Sequence, residues 1–281
     1  MTLAAQRWPG EGPPLVAIHG LSSNAMFYVG IAERLARRRP LVAVDLRGRG
    51  DSDKPAAGYG MEAHADDVAA AMDAEGIERA VVVGHSMGAG VATVFAHRHP
   101  DRCTGVVLFD GGLQVFHAFF AHPELAAEFM ESGKGIEGRL HTTFTDRNAY
   151  RSYWADLDVF TADEWSPWVD AYLDHDLGAD HRAKCLPDAI AYDALDLLQT
   201  SQAIGDDPIG VPVLAVHATE GILHGTTPLV QPTAIERMAT THPKFSALEV
   251  PGTNHYTIAL TEPAATTVAD ALVAHAATCG S

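Results

Sequence analysis

The sequence predicts an α/β fold, in which helices cover both faces of one mostly parallel sheet and a helical segment is inserted into it. Short runs of Val, Leu and Ile recur along the chain without polar alternation, as strands buried on both faces require. Helical patterns separate the first runs, so strands and helices alternate. This doubly wound alternation stops between residues 112 and 205, where aromatic-rich helical pieces follow one another.

Each core element has its own sequence signal. The runs that predict strands are LVAI (15–18), LVAV (41–44), AVVV (80–83), GVVLF (105–109), VPVLAVH (211–217) and SALEV (246–250). The helical patterns lie at about 27–38, 61–75, 87–98, 228–242 and 262–277. We therefore assign residues 1–111 and 206–281 to a core, and residues 112–205 to a helical cap.

Charge and composition exclude several classes of partner. Asp and Glu number 36 against 19 Lys and Arg, and the resulting charge of −17 repels phosphate backbones and anionic lipid heads. No stretch approaches the roughly 18 apolar residues of a membrane span, and the N-terminus lacks the pattern of a secretory signal. The cysteines and histidines form no CxxC or HExxH spacing. We expect a cytoplasmic protein that binds no nucleic acid, membrane or metal.

The stretch AVVVGHSMGAGVA (80–92) carries the strongest chemical signal. It places GHSMG (84–88), a G-x-S-x-G motif, between a buried strand and an Ala-rich helix. A serine at so sharp a turn has a strained backbone, which small residues two positions on either side accommodate. Its hydroxyl then stands above the sheet, with the Met87 N–H directed to the same space. We expect Ser86 to be a nucleophile, and His85 to point away from the pocket in a structural role.

A serine hydroxyl is a weak nucleophile until a base takes its proton. The stretch VPGTNHYTIALTEP (250–263) supplies His255, in a polar loop between the last predicted strand and the last helix. Its late position fits the chain order serine, acid, histidine. We therefore predict that His255 is the general base.

The chain resembles the α/β-hydrolase superfamily, in its serine-nucleophile branch, over nearly its whole length. The resemblance rests on LVAIHG (15–20), DLRGRGDSDKP (45–55), GHSMG (84–88) and PGTNHY (251–256). It implies an eight-stranded, mostly parallel sheet with a helical cap after the sixth strand. Because only about fourteen residues precede LVAI, we expect the first antiparallel strand to be missing or very short.

The resemblance also implies an oxyanion hole. His19-Gly20-Leu21 matches the oxyanion loop, where the Leu21 N–H would join that of Met87. Two N–H groups aimed at a developing oxyanion stabilise the tetrahedral intermediate, and losing one such donor costs roughly 3 kcal/mol in other hydrolases. The segment DLRG (45–48) resembles a turn motif of the family and is expected to hold a loop rather than to react.

The acidic residue departs from the commonest pattern of the family. That pattern places it after the seventh strand, but residues 211–228 contain only Glu220. Asp110 is the alternative, because it ends the strand GVVLF and the two glycines after it leave room for a histidine. Some branches of the family, including certain lactone hydrolases and dehalogenases, place their acid there. We favour Asp110 over Glu220 as the residue that orients His255.

These residues predict a hydrolase that cleaves a carboxylic ester or lactone through an acyl-enzyme. The aromatic residues of the cap, such as Trp154, Trp165 and Trp168, suggest an apolar small-molecule substrate, because they pack in the cap or line the pocket. No cofactor is expected, since covalent catalysis with an oxyanion hole is self-sufficient.

Two other functions share these motifs. A serine C–C bond hydrolase or a cofactor-free perhydrolase would use the same triad, and a panel of substrates would separate them. A non-catalytic ligand receptor on the same fold is the least favoured hypothesis. Haloalkane dehalogenase and epoxide hydrolase activities are disfavoured, because those branches need a carboxylate where this chain has Ser86.

Overall fold

A computed structural model describes residues 1–280 and places a seven-stranded sheet at the centre of the protein. The strands are β1 Ala5–Trp8, β2 Leu15–Ile18, β3 Leu41–Val44, β4 Ala80–His85, β5 Cys103–Phe109, β6 Val213–Ala218 and β7 Phe245–Val250. Their order across the sheet is β1-β3-β2-β4-β5-β6-β7. Every neighbouring pair is parallel except β1 with β3, so the predicted mostly parallel sheet is confirmed.

The sheet has seven strands within the described residues, rather than the eight that the resemblance implied. The antiparallel strand expected to be missing or very short is present as β1, which pairs Ala5 with Val44 and Trp8 with Leu41. It ends at Trp8, just before Pro9, which has no N–H to donate to the ladder. With four residues, β1 is short, and its edge position closes one side of the sheet.

Eleven α-helices accompany the strands in residues 1–280. They are α1 Val29–Leu35, α2 Met61–Ala74, α3 Met87–Arg98, α4 Leu113–Phe120, α5 Pro123–Gly138, α6 Arg147–Ala155, α7 Pro167–Asp176, α8 Pro187–Ile204, α9 Pro232–Thr241, α10 Thr257–Leu260 and α11 Ala264–Thr278. None of these helices is long and apolar enough to cross a bilayer.

The helices pack on both faces of the sheet because its strands are apolar on both sides. In β2, Leu15 and Ala17 join the cluster that includes α1, α10 and α11. Val16 and Ile18 join the opposite cluster, with α2, α3 and α9. Successive side chains of a strand point to opposite faces, so an uninterrupted apolar run serves both clusters.

The helices α4–α8 all lie between β5 and β6, and we call residues 112–205 the insertion. Helices α4 and α8 pack with α2 and α3 on one face of the sheet. Helices α6 and α7 pack with α1 on the other face. The insertion thus packs against core helices on both faces of the sheet.

Candidate active site

Ser86 lies between β4 and α3 with a backbone conformation that few non-glycine residues adopt, at φ 54° and ψ −123°. Its N–H donates to Phe109 O at 2.9 Å, which anchors the turn to β5. A Cβ on Gly84 would collide with the Gly88 backbone, and one on Gly88 would collide with the Ile18 backbone. The two glycines of the motif therefore permit the turn for the reason that the sequence suggested.

Two further glycines bring other loops against Ser86. A Cβ on Gly111 would lie 2.6 Å from Ser86 O and 2.7 Å from its Cα. A Cβ on Gly20 would lie 3.0 Å from Ser86 Cβ and 3.5 Å from Oγ. The glycine after Asp110 thus makes room for the backbone of Ser86, whereas sequence reasoning had assigned that room to a histidine.

Asp110 and His255 are joined by a short hydrogen bond, with His255 Nδ1 2.6 Å from Asp110 Oδ2. The other carboxylate oxygen of Asp110 accepts the Ala218 N–H at 3.0 Å. The Asp110 N–H donates to Val216 O at 2.7 Å, so both the backbone and the side chain of Asp110 are fixed by β6. Nδ1 of His255 therefore carries a proton, and Nε2 is left as the basic nitrogen.

Glu220, the alternative acid, does not contact the His255 ring. Its carboxylate contacts His224 Nδ1 at 2.9 Å and accepts the Gly225 N–H at 3.0 Å. His224 Nε2 lies 2.8 Å from Glu164 of the insertion. Partial burial lowers the pKa of His224, but hydrogen bonds with the two carboxylates raise it above its usual value overall. Glu220 is thus engaged in a separate ionic group.

Ser86 and His255 line the same cavity, which has a volume of about 80 Å³. Among residues 1–280 no hydrogen bond connects Ser86 Oγ to the His255 ring. In ligand-free hydrolases this contact is often long or poorly aligned and tightens when substrate binds. The two groups therefore face a common space.

The apolar wall of the cavity comes mainly from α5, with contributions from the loops after β6 and β7. Its members are Phe129, Met130, Gly133, Ile136, Ile222 and Tyr256. Phe129, Gly133 and Ile136 follow one another at helical spacing, so a stripe on α5 was readable from the sequence. Sequence reasoning did not single out this stripe, because it looks the same as an ordinary core-facing helix.

The three cap tryptophans lie elsewhere and do not line this cavity among the described residues. Trp154 is fully buried against Tyr172 and Tyr256. Trp165 donates its indole N–H to Asp170, and Trp168 donates to Glu33. Large rings gain from burial, which is complete for Trp154, nearly complete for Trp168 and partial for Trp165.

The expected oxyanion loop holds its peptide in a defined direction. Within residues 1–280 neither the Leu21 N–H nor the Met87 N–H has an acceptor. His19 Nε2 accepts the Leu46 N–H at 3.0 Å, so Nδ1 carries the proton and donates to Gly20 O at 2.8 Å. Burial lowers the pKa of His19 to about 4, which keeps the ring neutral. Since the C=O and N–H of a trans peptide point in opposite directions, fixing Gly20 O also directs the Leu21 N–H.

His85 lines the cavity, which corrects the expectation that it points away from it. Strand β4 continues through His85, so its ring faces the same side as Val81 and Val83, where α6 and α7 of the insertion pack. The ring stacks on Phe27 with centroids 3.9 Å apart, and its Nε2–H donates to His255 O at 3.0 Å. Burial, with a smaller effect of His255, lowers the pKa of His85 well below its usual value. A neutral His85 thus holds the loop that carries His255.

Asp45 acts as a loop anchor, as the turn motif suggested. Its carboxylate accepts the N–H groups of Ala25 and Asp51 at 2.7 and 3.0 Å and contacts His175 Nε2 at 2.8 Å. Asp45, Asp51 and His175 are close enough together to hold a metal ion. The Lys184 ammonium nevertheless lies 2.6 Å from Asp51, so the cationic partner of this group comes from the protein itself.

The fold and the site geometry define an α/β-hydrolase, and a family model confirms this class. The model for the alpha/beta hydrolase fold matches residues 13–259 of the chain. The chain therefore belongs to this family of hydrolases.

Curated relatives of the chain include an enzyme with a named activity. The chain is 27% identical over 260 residues to 2-(acetamidomethylene)succinate hydrolase of Mesorhizobium japonicum, covering 89% of this chain and 84% of that protein. It matches only 32% of the length of several uncharacterized mycobacterial proteins, at 39% identity.

Solved structures share the fold over almost the whole chain. A crystal structure of E-2-(acetamidomethylene)succinate hydrolase has a TM-score of 0.73 at 24% identity, covering 98% of this chain and 99% of that one. Est816, described as an N-acyl homoserine lactone degrading enzyme, has a TM-score of 0.65 at 23% identity, covering 96% and 95%. At these identities the likeness concerns the fold alone.

Proposed function

We propose that this chain is a serine esterase or lactonase that acts on a small, uncharged carboxylic ester through an acyl-enzyme. The observation that carries the proposal is the 2.6 Å contact between Asp110 and His255 beside a serine held at a strained turn. A nucleophile, a base and a residue that orients the base are the parts that covalent acyl transfer needs.

The reaction begins when His255 Nε2 takes the Ser86 proton and Oγ attacks the ester carbonyl carbon. The N–H groups of Leu21 and Met87 donate to the carbonyl oxygen as it becomes negative. The tetrahedral intermediate collapses when its C–O bond to the alcohol breaks, and His255 gives its proton to that alcohol. A water molecule then attacks the acyl-enzyme with His255 again as base, which releases the acid and restores Ser86.

The size of the cavity favours a short acyl group. Its volume of about 80 Å³ is well below the roughly 300 to 1,000 Å³ of pockets that enclose drug-sized ligands. Residues 112–205 serve in this proposal as the cap, with α5 as its contribution to the cavity wall. A longer group would extend past Met130, which is 56% exposed at the mouth.

The lining of the cavity favours an uncharged substrate. Its described residues include Glu137 and no Lys or Arg. A succinate carries carboxylates, which this lining gives no cationic partner. We therefore expect the substrate of this chain to differ from that named for the Mesorhizobium japonicum relative.

A fluorophosphonate probe and p-nitrophenyl esters test this function. We expect the probe to label the wild-type protein and to abolish hydrolysis of p-nitrophenyl acetate. Ser86→Ala should lose both labelling and hydrolysis, whereas Ser23→Ala, which alters another serine of the same cavity, should retain labelling. Absent labelling of the wild type, or labelling that persists in Ser86→Ala, would refute the proposal.

A further inference from the structure

Two buried arginines hold consecutive carbonyl groups of the oxyanion loop. Arg49 Nε donates to Leu21 O at 2.9 Å. Arg139 Nη2 donates to Ser22 O. Both side chains are completely buried, and they reach the loop from different parts of the chain, one from the loop after β3 and the other from the end of α5.

Each arginine is paired with a buried carboxylate of the insertion. Asp193 of α8 lies 2.6 Å from Arg49 Nη1. Asp176, the last residue of α7, lies 3.0 Å from Arg139 Nε and also accepts the Tyr150 hydroxyl. The oxyanion loop is thus connected through two ion pairs to two different helices of the insertion.

Stability is a poor explanation for these pairs. Removing two charges from water is costly, and apolar residues of similar volume often replace a buried ion pair without loss of stability. The ion pairs do fix the orientation of the groups that the arginines contact, because a guanidinium is planar and presents several donors at fixed angles. Arg49 places Nη1 beside Asp193 and donates from Nε to Leu21 O, whereas Arg139 donates from Nε to Asp176 and from Nη2 to Ser22 O.

The orientation of the Leu21 backbone matters for the proposed reaction. Its N–H is one of the two groups that would receive the oxyanion, and its own carbonyl is the one that Arg49 holds. A rotation of the Leu21–Ser22 peptide would swing that carbonyl away from Arg49 and turn the Leu21 backbone. Donors for an oxyanion act only when they lie about 3 Å from the developing charge, so small rotations matter.

We propose that Arg49 and Arg139 are positioning residues that fix the Leu21–Ser22 segment when the insertion is docked, and that they act together with the His19–Gly20 contact to hold the Leu21 N–H toward the cavity. This inference rests on the proposed acyl transfer at Ser86, whose oxyanion the Leu21 N–H receives. The insertion then contributes to turnover through Asp176 and Asp193 as well as through the wall of the cavity.

Arg49→Lys and Arg139→Lys test the proposal, because lysine keeps the charge beside each carboxylate but lacks a second donor in fixed geometry. We expect kcat for p-nitrophenyl acetate to fall about 10- to 100-fold in each variant, with KM changed less than about two-fold. Loss of ground-state binding would instead raise KM. The double variant should fall by less than the product of the single effects, since both arginines act on one loop.

Two arginines whose ion pairs are more exposed, and which make no contact with this loop, provide the controls. Arg47 pairs with Asp67 at 2.6 Å, and Arg151 of the insertion pairs with Asp174 at 2.8 Å. Arg47→Lys and Arg151→Lys should keep wild-type kcat. Wild-type kcat in folded Arg49→Lys and Arg139→Lys, or an equal fall in the controls, would overturn the inference.

A double substitution that replaces both members of one ion pair tests the inference if the lysine variants do not fold. Arg139→Met combined with Asp176→Leu removes the pair without leaving an unpaired buried charge. A lowered kcat at near-normal Tm would support the positioning role, and an unchanged kcat would overturn it. Failure of the wild-type protein to label at Ser86 would instead refute the proposed function, so the two failures are distinguishable.

Discussion

Replacing Asp110 with asparagine tests the candidate triad at the atom that sets the tautomer of His255. Asp110 Oδ1 accepts the Ala218 N–H, and Oδ2 faces His255 Nδ1. The new amide would keep its oxygen on the Ala218 N–H, because an NH2 group there would oppose another donor. Its NH2 group then donates to Nδ1, so the imidazole proton moves to Nε2. That nitrogen can no longer take the proton of Ser86.

The magnitude follows from these two contacts. In the opposite orientation the new NH2 group would face the Ala218 N–H, and two opposed donors cost about 1–3 kcal/mol. The productive tautomer, which has its proton on Nδ1, is therefore populated roughly 5- to 150-fold less. Loss of the negative charge 2.6 Å from the ring also removes stabilisation of the imidazolium. Together we expect kcat to fall about 10³- to 10⁴-fold, as for the corresponding change in a serine protease.

Steady-state hydrolysis of p-nitrophenyl acetate measures this loss, with a thermal melt to verify folding. Glu220→Gln is the matched control, because its carboxylate contacts His224 and the Gly225 N–H instead. We expect its kcat to stay within about two-fold of wild type. A kcat for Asp110→Asn within about ten-fold of wild type, or a large loss in Glu220→Gln, would refute the reasoning.

Three further predictions concern the surroundings of the site. Gly111→Ala places a Cβ 2.6 Å from Ser86 O and should lower kcat about 100-fold, and an unchanged rate would contradict the tight packing. Gly133→Leu fills part of the cavity and should lower kcat/KM for p-nitrophenyl butyrate at least about ten-fold more than for acetate; equal effects would move the acyl site elsewhere. Burial lowers the pKa of His175, but Asp45 raises it above 6.5 overall, so this pair stabilises the fold fully below about pH 6.5 and less as pH rises through the higher folded-state pKa. Thermal melts should therefore show a smaller fall in Tm above pH 6.5 for His175→Gln than for wild type, and parallel curves would contradict it.

The sheet was predictable because its strands are buried on both faces and so read as unbroken apolar runs. The six runs identified in the sequence all lie in or overlap strands of the sheet. The ends of these runs were less informative. AVVV (80–83) continues as a strand through His85, and this two-residue extension determines that the imidazole faces the cavity. A polar residue at the end of a strand gives no hydropathy signal, so pattern alone could not assign its face.

The cavity wall was harder to predict than the reacting groups. Ser86 and His255 lie in local motifs whose turn geometry requires particular residue types. The apolar wall depends on how α5 docks, and the spacing of Phe129, Gly133 and Ile136 is common to every helix that buries one face. The cap tryptophans were candidates for the cavity wall because of their large apolar rings, but such rings gain more from complete burial, as for Trp154.

The topology of the sheet explains why an acid after β5 can orient His255. Strand β5 lies between β4, which leads to Ser86, and β6, whose last residue donates its N–H to Asp110. The loop after β6 also contacts the histidine, because the His255 N–H donates to Gly221 O at 2.9 Å. Its contribution there is made by the backbone, while the Glu220 side chain turns to His224. The β6 loop thus positions the main chain of His255 and Asp110 sets the state of its ring, so the candidate triad does not require an aspartate after β6.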